Sequence, residues 1–291
     1  MKKLALSLVI STFLALTVAA QAQDDQIQRV PLSQPEIDKI IKKVSENEGL
    51  FRQALGEYNF DRSATVETVG LGGNITGVYR RDSEMIIQPD GPRMEKILFA
   101  PLSTLTEISI TPEDLEDLGG VNPFALQPAN VSQYNFSYVG KQHIDELNLF
   151  VFDVTPKEIP NPKKSKTRLF TGRIWVDDQD YMIVKSKGKA VPETKDNKFP
   201  VVETWRENID GKYWFPTYIT ADDNLVFGNG DVHHIRMKVK YNSYKLAHSD
   251  VRIIAEEDVK STPTATPTPS PTAKPAPTAT PTPSPTPKKP E

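Results

Sequence analysis

The stretch VHHIRMKVKYNSYKL, residues 232–246, alternates Ile235, Met237, Val239 and Tyr241 with Arg236, Lys238 and Lys240. Successive side chains of an extended strand point to opposite faces, so this pattern predicts a long strand with one apolar and one charged face. Upstream, Val201–Glu207 and Tyr213–Thr220 read as a hairpin through Asp210-Gly211, a pair suited to the two left-handed positions of a type I′ turn. Arg168–Val176 and Tyr181–Lys187 form another around Asp177-Asp178-Gln179-Asp180. Before them, Tyr134, Phe136 and Tyr138 alternate with Asn135 and Ser137, and Leu147–Val154 answers after a loop containing Asp145-Glu146. Ala64–Val69, Thr76–Ile87 and Arg93–Phe99 make a first group, punctuated by Gly70-Leu71-Gly72-Gly73 and Pro89-Asp90-Gly91-Pro92. About ten long antiparallel strands, each apolar on one side, must curl or close.

One helix is available to meet that apolar side. Ser33-Gln34-Pro35-Glu36 combines an N-cap serine, an early proline and a capping-box glutamate. Ile37, Ile40, Ile41 and Val44 follow at helical spacing, and Phe51 and Leu55 extend the stripe after Gly49. Two roles fit: an ordinary core helix, or a lid over a ligand cavity. A short second helix is signalled by Thr111-Pro112-Glu113-Asp114, with Gly119-Gly120 as its stop.

The two ends differ from this middle. Lys2 and Lys3 precede an apolar run, Leu4 to Ala20, that closes on Ala20-Gln21-Ala22, so residues 1–22 read as a signal peptide cleaved after Ala22. From Ser261 the chain becomes Pro, Thr, Ser and Ala, with PTATPTPSPT at 263–272 and again at 277–286. Such a tail, 261–291, buries no core and reads as a disordered, extended spacer. Between them, residues 23–260 suffice for one β domain. The chain has no cysteine and a formal charge of −3, so neither disulfides nor nucleic-acid binding are expected.

Phe170-Thr171-Gly172-Arg173-Ile174-Trp175-Val176-Asp177, followed by Tyr181-Met182-Ile183-Val184-Lys185 and Gly188, resembles the central hairpin of the LolA/LolB-like superfamily of outer-membrane lipoprotein-sorting proteins. The wider stretch from Ile40 to Tyr244 resembles an envelope branch attached to that superfamily. It includes Pro156-Lys157, Asp210-Gly211-Lys212-Tyr213-Trp214-Phe215-Pro216 and Ala221-Asp222-Asp223. The resemblance implies a mainly β fold, an unclosed antiparallel β-barrel with an N-terminal helical lid over an apolar cavity. It also implies transport or sensing of acyl chains without a cofactor.

Motifs for chemistry are absent: no G-x-S-x-G, P-loop, H-E-x-x-H or cysteine site occurs. His233 and His234 are adjacent in a strand, so their rings face opposite ways and cannot share one ion. Asp177-Asp178-Gln179-Asp180 and Asp222-Asp223-Asn224 have calcium-like composition but turn-like placement, without the spacing of a binding loop. Trp175, Trp205 and Trp214 read either as amphipathic barrel residues or as platforms for sugars or headgroups. No catalytic residue, metal or cofactor is therefore expected. The expected ligands are lipid or lipoprotein acyl chains, with an envelope protein as a further partner, and the expected species is a monomer in the periplasm, soluble or peripherally membrane-associated. The apolar cavity is assigned to Tyr134, Phe136, Tyr138, Phe150, Phe152, Ile174, Val176, Ile235, Met237, Val239 and Tyr241, and the lid to Ile37, Ile40, Ile41 and Val44. Two rival readings are an envelope sensor signalling to a membrane partner and an envelope hydrolase with an unrecognised site. N-terminal sequencing of the protein released from its own envelope is expected to begin at Gln23; a sequence starting at Met1 contradicts export by cleavage.

Overall fold

Ten strands form one antiparallel sheet around one long helix in the computed structural model, which describes residues 26–88, 93–111, 114 and 126–247. The expected signal peptide, most of the expected short helix at 112–120 and the Pro/Thr tail lie outside the described residues. Helix α1 (Gln34–Leu55) is followed by β1 (Tyr58–Val69), β2 (Ile75–Ile86), β3 (Met94–Phe99), β4 (Tyr134–Ile144) and β5 (Leu147–Pro156). Then come β6 (Leu169–Asp177), β7 (Ile183–Val191), β8 (Val202–Ile209), β9 (Tyr213–Val226) and β10 (Val232–Leu246). The spatial order is β3-β2-β1-β10-β9-β8-β7-β6-β5-β4, so β3 and β4 are the two free edges and the barrel is unclosed.

Local chemistry accounts for the elements. Ser33 and Glu36 form the capping box that starts α1, with Glu36 accepting from the Ser33 backbone N–H at 2.8 Å. The helix runs on through Gly49 without a break, because Phe51, Ala54 and Leu55 are buried beyond it. Asp210 and Gly211 both have positive φ, 55° and 68°, as a type I′ hairpin requires. At the β6–β7 turn, Asp177 Oδ2 accepts the backbone N–H groups of Gln179 and Asp180 at 3.1 and 3.0 Å. That carboxylate is a turn-maker, and burial raises its pKa.

Two boundaries differ from expectation for one reason. β1 begins at Tyr58 rather than Ala64, and β9 continues to Val226 through Asp222-Asp223-Asn224, which the sequence had placed in a turn. In both cases charged residues sit inside the strand with partners supplied by neighbouring strands. Arg62 is buried beside Glu95 of β3, and Asp222 pairs with His234 and Arg236 of β10. Cross-strand pairing compensates residues that local propensity disfavours.

Register carries one row of directly opposed residues across nine strands: Tyr138, Phe152, Ile174, Ser186, Thr204, Ile219, Val239, Ala64 and Arg81. This row lies on the concave face. There, the N-terminal half of α1 packs Ile40 and Val44 with Tyr134, Phe150, Phe152, Val154 and Ile174. Its C-terminal half packs Phe51, Ala54 and Leu55 with Phe60, Phe215, Val239 and Tyr241. Ile40 is 4% exposed, so Ile40→Asp is expected to destabilise the whole domain by at least about 3 kcal/mol. A single cooperative urea transition moved to lower denaturant checks this; an unchanged midpoint would show that α1 lifts away freely.

Candidate functional site

The concave face is not filled along its whole length. Beside α1 lies a cavity of about 580 Å³, walled by Phe170 and Ile174 of β6, Ala190 of β7, Val202 of β8, Ile219 and Leu225 of β9, Ile235 and Met237 of β10 and Val66 of β1. Its roof is the segment Glu107–Thr111 with Leu126, and Asp196–Pro200 stands at its side. Ile108 and Ile110 point their alternate side chains onto the apolar cluster of β1, β9 and β10.

The roof is tethered to β2 just upstream, at Thr104, by one main-chain and one side-chain hydrogen bond. Thr104 N–H donates to the Val78 carbonyl at 2.9 Å, and Val78 N–H donates to Thr104 Oγ1 at 2.9 Å. This crossing requires glycine at 77: a Cβ there would stand 2.7 Å from the Thr104 carbonyl oxygen and 2.9 Å from Leu105 Cα. A similar close approach shapes the wall, where Gly188 and its cross-strand partner Gly172 lie under the Phe170 ring; a Cβ at Gly188 would meet that ring at 2.4 Å.

The residues assigned to the cavity from sequence divide three ways. Ile174, Ile235 and Met237 line it. Tyr134, Phe150, Phe152 and Val176 are buried under the N-terminal half of α1, with Phe136 and Tyr138 partly buried against them. Val239 and Tyr241 are buried under its C-terminal half. Of the four residues assigned to the lid, Ile40 and Val44 belong to the first of these clusters and Ile37 and Ile41 pack on it; none lines the cavity. Only Glu48 of α1 reaches it.

Several lining residues escaped the sequence reading. Ile108-Ser109-Ile110 carries a strand-like alternation that could have marked it, whereas Phe199 and Phe227 carry no local signal. Glu48 is the clearest omission. It sits on the buried stripe of α1, is 1% exposed, and takes a fork of hydrogen bonds from Arg206 of β8 at 2.6 and 3.1 Å. The Arg206 guanidinium also lies 4.4 Å from the Phe51 ring centre. A buried pair of this kind costs desolvation on both sides and holds only because the geometry is bidentate.

A second inward-facing charge group occupies the β1–β3 corner. Glu95 accepts from Arg81 Nε and Nη2 at 2.8 and 2.7 Å, from Ser83 Oγ at 2.5 Å, and from Arg62. The hydrogen bonds from Arg81, then those from Ser83 and the charge of Arg62, hold the Glu95 carboxyl down at about 2.

The remaining motif residues are engaged elsewhere. His233 meets Glu107 at 3.1 Å and His234 meets Asp222, so the imidazoles diverge. Among the described residues no group of three or more His, Cys, Asp or Glu could hold a metal ion, and no helix is long and apolar enough to cross a membrane. Trp175 Nε1 donates to Gln142 at 2.7 Å, Trp205 Nε1 to Glu203 at 2.9 Å and Trp214 Nε1 to Asp180 at 2.9 Å. Lys185 lies over the Trp205 ring at 4.0 Å and over the Trp175 ring at 5.0 Å, on the convex face away from the cavity.

No protein-family model matches the chain, and no curated protein matches it in sequence. Several solved structures are similar to it. A LolA superfamily protein from Nitrosomonas europaea is 13% identical over 76% of this chain and 97% of its own, with a TM-score of 0.30. A putative outer membrane lipoprotein-sorting protein domain from Vibrio parahaemolyticus is 13% identical over 77% and 94%, with a TM-score of 0.32. A DUF1329 family protein from Desulfovibrio piger is 12% identical over 74% and 94%, with a TM-score of 0.33. At these identities the likeness concerns the fold alone.

The low Glu95 pKa ties stability to pH. A carboxyl depressed in the folded state stabilises above its unfolded value, near 4.5, and that stabilisation is lost as pH falls toward about 2. The contribution is at most about 3 kcal/mol, reduced by solvent reaching the 25% of the Glu95 side chain that is exposed. Glu95→Gln is expected to flatten the fall in unfolding free energy between about pH 4.5 and pH 2; a variant with the wild-type slope contradicts the assignment.

Proposed function

We propose that this chain is a non-enzymatic envelope carrier that holds a lipid or lipoprotein acyl chain in the cavity between the concave sheet and the Glu107–Thr111 segment. The observation that supports this most directly is the cavity itself: about 580 Å³ with a wall largely of Phe, Ile, Leu, Val and Met side chains and with charged residues such as Glu48, Arg206 and Lys198 in its lining. That volume falls within the range of ordinary ligand pockets. Each methylene moved from water into such a space is worth about 0.8 kcal/mol, so hydrocarbon burial supplies affinity without any directed chemistry. Release is then the harder step. The roof segment, rather than the buried helix α1, is the element that opens, since it lies on the cavity through two isoleucines, one main-chain and one Thr104 hydroxyl hydrogen bond to β2, and the exposed Glu107–His233 contact. The signal peptide expected at 1–22 and the spacer expected at 261–291 fit a carrier working in the periplasm.

Met237 separates a carrier from a filled core. In a filled core, Met237→Trp overpacks and costs about 1–3 kcal/mol. In the carrier, the indole enters empty volume, the unfolding midpoint stays near wild type, and affinity for a fluorescent fatty-acid methyl ester falls by about tenfold or more. Protein stripped of lipid by denaturation and refolded is titrated with that ester. Absence of any binding to the wild-type protein defeats the carrier reading.

A further inference from the structure

Among the described residues, the β1–β3 corner holds more positive charge than its carboxylates balance. Arg62 and Arg81 converge there on a single carboxylate, Glu95, and Arg93, two residues before Glu95, stands beside them. Arg62 and Arg81 reach it directly, whereas Arg93 donates to main-chain oxygens, those of Leu55 and of Tyr58 at 3.0 Å, and stacks 4.8 Å from the Phe60 ring centre. Among the described residues, two buried guanidinium atoms in this corner have no hydrogen-bond partner, Arg62 Nε and Arg93 Nε, while the Tyr79 hydroxyl lies within reach of Arg81. Arg62 is only 4% exposed. A purely structural brace would match charge with charge and leave no donors over, because an uncompensated buried cation is costly.

The corner adjoins the cavity on the same face. Tyr79 lies directly across from Val66 of the cavity wall, and Arg81 is the next inward residue of β2, opposite Ala64. Inward residues two apart are separated by about 7 Å along a strand. The Arg81 and Glu95 side chains keep 21% and 25% of their surface exposed, which leaves the corner open to a ligand.

We propose that Arg62, Arg81 and Arg93, with the Tyr79 hydroxyl, form a subsite for an anionic oxygen group, carboxylate or phosphate, on the head of the ligand whose chain fills the cavity. This deepens the carrier reading and rests on it. Guanidinium groups suit the task, since they stay charged and offer forked donors that match carboxylate and phosphate oxygens. Glu95 keeps two of the arginines aligned while leaving surplus charge for the ligand.

The test compares a pyrene-labelled fatty acid with its methyl ester, on the full chain, delipidated and refolded, at about pH 8, where the acid is ionised. The wild-type protein is expected to bind the acid about tenfold more tightly than the ester. Arg81→Gln should bring the two affinities together by weakening the acid while leaving the ester within about twofold, and Arg81→Lys should keep part of the preference. Unfolding midpoints of both variants verify that they fold, and the wild-type ratio decides the matter even if one does not. Inorganic phosphate added alone identifies the source: loss of the acid's advantage shows a site that takes a free anion, and a retained advantage shows one that takes only a tethered head. Equal affinity of the wild-type protein for acid and ester overturns the subsite and leaves the carrier standing. Binding of neither probe overturns the carrier, and the subsite with it.

Discussion

The packing of a single helix against a sheet too wide for it governs this structure. Ten strands at about 4.8 Å spacing would span about 48 Å if flat, whereas a helix with its side chains is about 10 Å across. Curling brings strands from both halves of the sheet onto α1, so that Ile40 and Val44 serve one half and Phe51 and Leu55 the other. The helix still cannot cover everything. Apolar surface on β6 to β10 is left over, and the segment after β3 crosses it rather than plugging it. The described part of that segment, Glu107–Thr111, covers this surface without filling the space beneath it, and a cavity of about 580 Å³ remains.

Charge is distributed with the same economy. Inward positions of a curled sheet are expensive places for ions, yet Arg62, Arg81, Glu95 and Arg206 occupy them, as Glu48 does on the helix. The Glu48–Arg206 fork is complete and fixes α1 to β8 beside the cavity. The β1–β3 corner is incomplete in hydrogen bonds and in charge. The two groups thus differ: the first closes on itself, and the second leaves Arg62 Nε and Arg93 Nε without partners among the described residues. On the convex side, by contrast, the tryptophans spend their indole N–H groups on Gln142, Glu203 and Asp180 of the same chain.

Much of the architecture was legible in the residues, because strands, turns and helix starts answer to short-range rules. Period-2 alternation predicted β10 with its observed bounds, Asp210-Gly211 predicted a turn with two positive φ values, and Ser33 with Glu36 predicted the start of α1. Alternation also sorted Tyr138 and Val239 onto apolar faces, and register then set them in one row. Where the reading fell short, charged residues interrupted the pattern: Arg62 holds an inward position in the first half of β1, and the run Asp222-Asp223-Asn224 has the composition of a turn within β9.

Which apolar residues enclose space and which fill it could not be read that way. Ile174, Ile235 and Met237 differ from Phe152, Val176 and Val239 in no local property; they differ in bordering the open space beside α1, which Ile174 and Met237 do while also packing in the clusters under the helix. Likewise Glu48 finds Arg206 across 158 residues of chain. The sequence by itself determined the elements, their faces and their turns, since these follow from the geometry of a few neighbouring residues. Tertiary structure alone decided where the helix stops covering the sheet, and hence where the cavity lies, because that depends on the volumes of side chains brought together from distant strands.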